Sequence, residues 1–197
     1  MKPRLFIGSS VESLSTARAV QDNLEYDCHP TLWNQGIFGL NTSALESLVN
    51  ALVKFDFAVF VFEPNDITLM RNDQKNTVRD NVIFEFGMFI GKMGRERVFF
   101  VTPRNGPKIH LPTDLLGIVA GSYDAEHNNI QAALGTFCNQ VRQKLQAFVY
   151  QNLDILAGES QEIKKIAVER PLAWETKLAA ALLKNRFIEI CLLYTSR

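Results

Sequence analysis

The chain has 197 residues, and its 21 Lys and Arg balance 21 Asp and Glu, so the formal net charge is zero. That balance disfavours a broad electrostatic grip on nucleic acid or on an anionic membrane. Hydrophobic content of 47% and charged content of 21% are ordinary for a globular protein, and no apolar run reaches the roughly 18–20 residues of a membrane span.

In chain order, "RLFI" (4–7) reads as a short buried strand. "GSS" follows, then a helix with Leu14, Ala17, Val20 and Leu24 on one face. "TLWN" (31–34) predicts a second strand, running into the glycine-bearing loop "NQGIFGLN". Ser43-x-x-Glu46 fits a capping box and starts a second helix, with Leu45, Leu48, Val49 and Leu52 as its apolar stripe. "DFAVFVF" (56–62) is a continuous apolar run, as expected of a strand covered on both faces, and it stops at the turn cluster "EPND". A helix around 78–94 and the strand "RVFFVT" (97–102) come next. "LPTDLLGIVAGSY" reads as a loop leading to a short last strand. From about 128 to 149, Ile130, Leu134, Phe137, Val141, Leu145 and Phe148 mark a long amphipathic helix.

Strands alternating with helices about five times imply an α/β fold: an open parallel sheet of about five strands with helices on both faces. Residues 1–149 form this domain. Residues 150–197 change character and read as a helical extension divided at Pro171, a linker or the truncated start of a further domain. The ending "CLLYTSR" has no charge pattern or capping logic of its own. In open α/β sheets, ligands bind beyond the carboxyl ends of the strands. "GSS", "NQGIFGLN", "EPND" and the start of the 78–94 helix are expected on that edge.

The candidate chemistry concentrates in "RDNVIFEFGMFIGKMGRERVFFV" (79–101), where one carboxylate, Glu85, stands among apolar side chains. A buried carboxylate costs several kcal/mol unless paired or neutralised. On a helix Glu85 shares a stripe with Asn81 and Lys92, whereas Gly87, Gly91 and Gly94 form another stripe suited to close packing. Glu85 is therefore either a functional acid on the ligand edge or a boundary residue paired with Lys92 or an arginine. Gly8, Ser9 and Ser10 in "FIGSS" suit backbone contacts to a phosphate, or a tight turn in which Ser10 caps the helix. Trp33 and Phe38 offer aromatic area for stacking on a base or on nicotinamide, or simply fill core. Asp114 is a further acid on a late loop, with turn-making as the alternative. Arg95, Glu96 and Arg97 read as a solvated helix end. No hydrolytic triad assembles around Ser9, since no histidine lies in a strand-end loop of the first half, although His110 is free to approach in space. Cys28, Cys138 and Cys191 are scattered, as are the three histidines. This spacing argues against a disulfide framework or a metal site and fits a reducing cytoplasm.

Together "FIGSS", the W-x4-F spacing of 33–38, "DFAVFVFEPND", "RDNVIFEFGMFIGKMGRERVFFV" and "LPTDLLGI" resemble the bacterial TIR-like domain of anti-phage effectors, of the CBASS and Pycsar type and as found in TIR–STING fusions. The resemblance covers about residues 3–147. It implies a flavodoxin-like sheet and, as in several members, cleavage of NAD+, with Glu85 as the catalytic glutamate. NAD+ is then the substrate and no separate cofactor is needed. It also implies a homo-oligomer formed through the TIR domain, and a cyclic-nucleotide signal received by a C-terminal domain. In NAD+ the bound nicotinamide is already a cationic leaving group and needs no general acid, so a single carboxylate that stabilises the oxocarbenium-like ribose suffices. Two alternatives remain: a non-catalytic nucleotide-binding or assembly module, and a nucleoside glycosyl-transfer enzyme using the same glutamate.

Overall fold

A computed structural model describes residues 2–39, 43–115 and 117–169, with side chains described as far as residue 155. The chain divides into two compact units, Met1–Val149 and Tyr150–Arg197. The elements of the first unit are, in chain order, β1 (Arg4–Gly8), α1 (Leu14–Leu24), β2 (His29–Leu32), α2 (Ala44–Leu52), β3 (Phe57–Val61), β4 (Asp66–Met70), β5 (Asp73–Thr77), α3 (Asp80–Met93), β6 (Val98–Pro103), β7 (Ile109–His110) and β8 (Gly121–Tyr123). The helix α4 (Ile130–Glu169) follows. The expected break at Pro171 and the "CLLYTSR" ending lie outside the described residues.

Five strands make one parallel sheet in the order β2-β1-β3-β6-β8. This is the doubly wound order, in which the chain moves outward from β1 first to one side and then to the other. The strand alternation sorts side chains between two cores. Leu5 and Ile7 of β1 and Phe57, Val59 and Val61 of β3 pack with α1 and with Leu134, Phe137, Val141 and Leu145 of α4. Phe6, Ala58 and Phe60 face the other way, onto Leu48 of α2 and Val82, Phe86 and Phe89 of α3. Phe6 stacks on Phe89 at 4.5 Å, and Phe60 meets Phe86 edge-on at 5.5 Å. The crowding explains Gly8: a Cβ there would lie 2.4 Å from a ring carbon of Phe60.

Several expectations are corrected. The hairpin of β4 and β5, joined by Arg71 and Asn72 at φ 50° and 66°, has no counterpart in the sequence reading. Those angles match a two-residue type I′ turn. With β7 paired parallel to β5, the hairpin makes a second, three-stranded sheet between β3 and α3. The glycine stripe of α3 is not a packing face. Gly87 and Gly91 are exposed, with open space where a Cβ would be. Gly94 instead ends the helix at φ 78°, its N–H bonded to the Ile90 carbonyl at 2.8 Å. On α2, Leu45 and Val49 are exposed, and Ser47, Leu48 and Ala51 form the buried face. Arg97 is more than a solvated charge: its guanidinium sits 4.9 Å above the Phe148 ring.

Candidate functional site

A cleft of about 690 Å³ opens at the carboxyl ends of the strands. The β1–α1 loop supplies Ser9, Ser10, Val11 and Glu12. Trp33 and Phe38 follow β2, the start of α2 brings Leu45 and Leu48, and the start of α3 brings Arg79 to Asn81, Phe84 and Glu85. It lies at the reversal of strand order, where such sheets bind ligands.

Glu85 is half-buried in the wall of this cleft. Burial alone pushes its carboxyl up to about 7. Among the described residues it makes no hydrogen bond or ion pair, so the pairing with Lys92 or an arginine weighed for it is not made. The reason is geometric. Val82, Phe86 and Phe89 are committed to the core and fix the rotation of α3. Glu85 then falls on the flank that borders the cleft. Lys92 stands in the last turn of the helix, where its charge complements the carbonyl end.

Trp33 belongs both to the core beneath α2 and α3 and to the cleft wall. Its indole Nε1–H donates to Ser9 Oγ at 3.1 Å, and Phe38 meets it edge-on at 6.3 Å. Ser9 Oγ–H in turn donates to the Ser10 carbonyl at 2.9 Å. Ser10 does not cap α1 directly. Its Oγ accepts the Ser13 N–H at 3.1 Å and donates to Asn65 Oδ1 at 2.9 Å. Ser13 and Thr16 each donate to the Glu63 carboxylate at 2.8 Å, and Tyr123 donates to the same group. Burial, then the Glu63 bond, pushes the Tyr123 hydroxyl above its ordinary range. The "EPND" turn therefore anchors the β1–α1 loop from below.

Of the residues singled out in the sequence, Ser9, Ser10, Trp33, Phe38, Asn81 and Glu85 line this one cleft. Gly8 lies beneath it as the last residue of β1. Asp114 is on the 3-10 turn Thr113–Leu115 and is not among the lining residues. His110 is on β7 in the second sheet and does not line it either. Glu12 and Arg79 were missed, although both line the cleft and pair with each other. The signal for Arg79 was its place directly before a helix on the ligand edge.

The sequence matches the family described as "CAP12/Pycsar effector protein, TIR domain" over residues 4–125. This chain belongs to that family. Its TIR domain carries the whole cleft, since every lining residue falls inside the matched span. The chain is 44% identical over 141 residues to Pycsar effector protein PaPycTIR of Pseudomonas aeruginosa, covering 70% of this chain and 46% of that protein. It is 40% identical over 131 residues to CD-NTase-associated protein 12 of a Lachnospiraceae bacterium, covering 66% of this chain and 40% of that one. A more distant likeness, 30% over 96 residues, is to protein tirC of Dictyostelium discoideum, covering 44% of this chain and 48% of that protein. The chain thus spans less than half the length of each of these relatives. No helix among the described residues is long and apolar enough to cross a membrane.

Proposed function

We propose that the TIR domain hydrolyses NAD+ at the nicotinamide–ribose bond, with Glu85 as the catalytic carboxylate. The observation that carries this reading is a half-buried carboxyl, with no partner among the described residues and pushed up to about 7, in a cleft that also presents Trp33 and Phe38. The cleft volume lies within the roughly 300–1,000 Å³ typical of small-molecule sites.

The chemistry asks little more of the protein. The C–N bond breaks and nicotinamide leaves as a neutral molecule, placing positive charge on the ribose. A nearby carboxylate stabilises that charge, and the apolar wall strengthens the effect by excluding water. Water then adds to the ribose carbon, and its proton passes to Glu85 and on to solvent. Free Glu85 is pushed toward its neutral form by burial. A cationic nicotinamide ribosyl group beside it favours the ionised form, so substrate itself prepares the carboxylate. Trp33 and Phe38 serve as the aromatic wall for a base or for nicotinamide.

The names of the relatives, a Pycsar effector and a CD-NTase-associated protein, support a role as the output module of anti-phage defence. In that role the domain acts in the cytoplasm and is switched on by self-association. A cyclic-nucleotide signal would reach it through a further C-terminal domain.

The test is nicotinamide release from NAD+ at high protein concentration. Glu85→Gln is expected to lower release by about a hundredfold or more while leaving the circular dichroism spectrum unchanged. Full activity in that variant would sink the assignment. Stabilisation by NAD+ without turnover would favour a binding module, and release of free base from a nucleoside would favour a glycosyl-transfer enzyme.

A further inference from the structure

Among the described residues that line the cleft, Arg79 is the only lysine or arginine. The other ionisable lining residues, Glu12, Asp80 and Glu85, are acids. Arg79 stands at the entry to the 14-residue helix α3. Its guanidinium is held from two sides, by the Glu12 carboxylate and by Asp66 Oδ1 at 3.6 Å. Glu12 comes from the β1–α1 loop, and Asp66 opens β4 of the hairpin. All three side chains are open to solvent. Ion pairs this exposed contribute little to stability, so folding alone gives a weak reason for the arrangement. A guanidinium presents a planar fork of donors that matches phosphate oxygens, and the first turn of a helix adds its own positive end.

We propose that Arg79 forms a phosphate subsite of the cleft, taking the diphosphate of a dinucleotide, and that Glu12 competes with the ligand for it. That the ligand is a dinucleotide rests on the NAD+ reading above; the subsite itself requires only a phosphorylated ligand. On binding, Arg79 exchanges the Glu12 carboxylate for phosphate oxygens while Asp66 keeps the side chain in place. The exchange breaks one exposed pair and leaves Glu12 free to turn into solvent. Glu12 thereby sets specificity. A diphosphate is a strong enough anion to displace it, whereas a nucleoside without phosphate has no contact to offer in return.

Calorimetric titration with ADP-ribose, and separately with adenosine, tests this on the wild type, Glu12→Gln, Arg79→Gln and Arg79→Lys. ADP-ribose is expected to bind Arg79→Gln about tenfold more weakly than wild type or worse, with Arg79→Lys between the two. Glu12→Gln is expected to bind it up to about fivefold more tightly. Adenosine affinity is expected to stay the same in all four proteins, which also reports that the cleft is intact. Equal ADP-ribose affinity in wild type and Arg79→Gln would overturn the proposal. So would no gain in Glu12→Gln, a parallel loss of adenosine affinity, or no ADP-ribose binding by the wild type. The readout needs no turnover. A protein with the expected pattern that releases no nicotinamide keeps the subsite and loses the NAD+-cleaving reading. Nicotinamide release with no effect at Arg79 does the reverse.

Discussion

Desolvation sets the behaviour of Glu85, because its carboxyl is pushed up to about 7 with no cation among the described residues to offset the burial. The consequence reaches stability as well as catalysis. A folded-state value above the ordinary 4.5 means that the native protein binds the proton more tightly than the unfolded chain does. The stabilisation is fully present below about 4.5 and is lost as pH rises through about 7. Above that window the ionised Glu85 costs on the order of 2–3 kcal/mol. Glu85→Gln has no such cost. Urea unfolding is therefore expected to find the variant more stable than wild type at pH 8, with the gap closing toward pH 4.5. A gap that does not change with pH would remove burial as the cause. At this scale the sequence already showed one acid among apolar neighbours. It did not show whether a partner would come from elsewhere in the chain, because a partner's distance is a tertiary fact.

At the level of elements, the second helix was the most legible. The Ser43 side chain accepts the Glu46 N–H at 3.1 Å, and the Glu46 carboxylate accepts the Ser43 N–H at 3.0 Å. A capping box is a contact between residues three apart, so the local sequence suffices to specify it. Ser43→Ala is expected to lower stability by about 1 kcal/mol, measured as a shift in the urea midpoint with an unchanged slope. The β4–β5 hairpin was the least legible. "DITLMRNDQKNT" alternates poorly, and its turn places Arg71 at positive φ where glycine or asparagine would have announced a hairpin. Ile67 and Leu69 stay exposed on β4, so no buried face marked the strand in advance. On α3 the spacing correctly separated Glu85 from the glycines. It misread why the glycines are there: Gly94 is a helix end, and Gly87 and Gly91 face open space.

Across the whole molecule, the two thiols Cys28 and Cys138 report on cooperative unfolding. Both are buried in the core under α1 and α4, and burial pushes each up to about 12. Thiolate is the reactive form, so neither is expected to react with a disulfide reagent in native protein near neutral pH. In a Cys191→Ser background, labelling is expected to appear only with the urea transition; rapid native labelling would show that this core opens locally. The continuous apolar runs of β1 and β3, the long stripe of α4 and the turn clusters were enough to specify a parallel α/β sheet and its ligand edge. An unbroken apolar run and a stripe repeating every three to four residues are both local patterns, written in the chain itself. The gathering of Glu12, Arg79 and Asp66 was decided only by tertiary structure, since these residues lie far apart in sequence and meet where β1, β3 and α3 converge. The same holds for the isolation of Glu85. Local pattern determined which way each side chain faces along its own element, and packing of one element on another determined which charges would find each other.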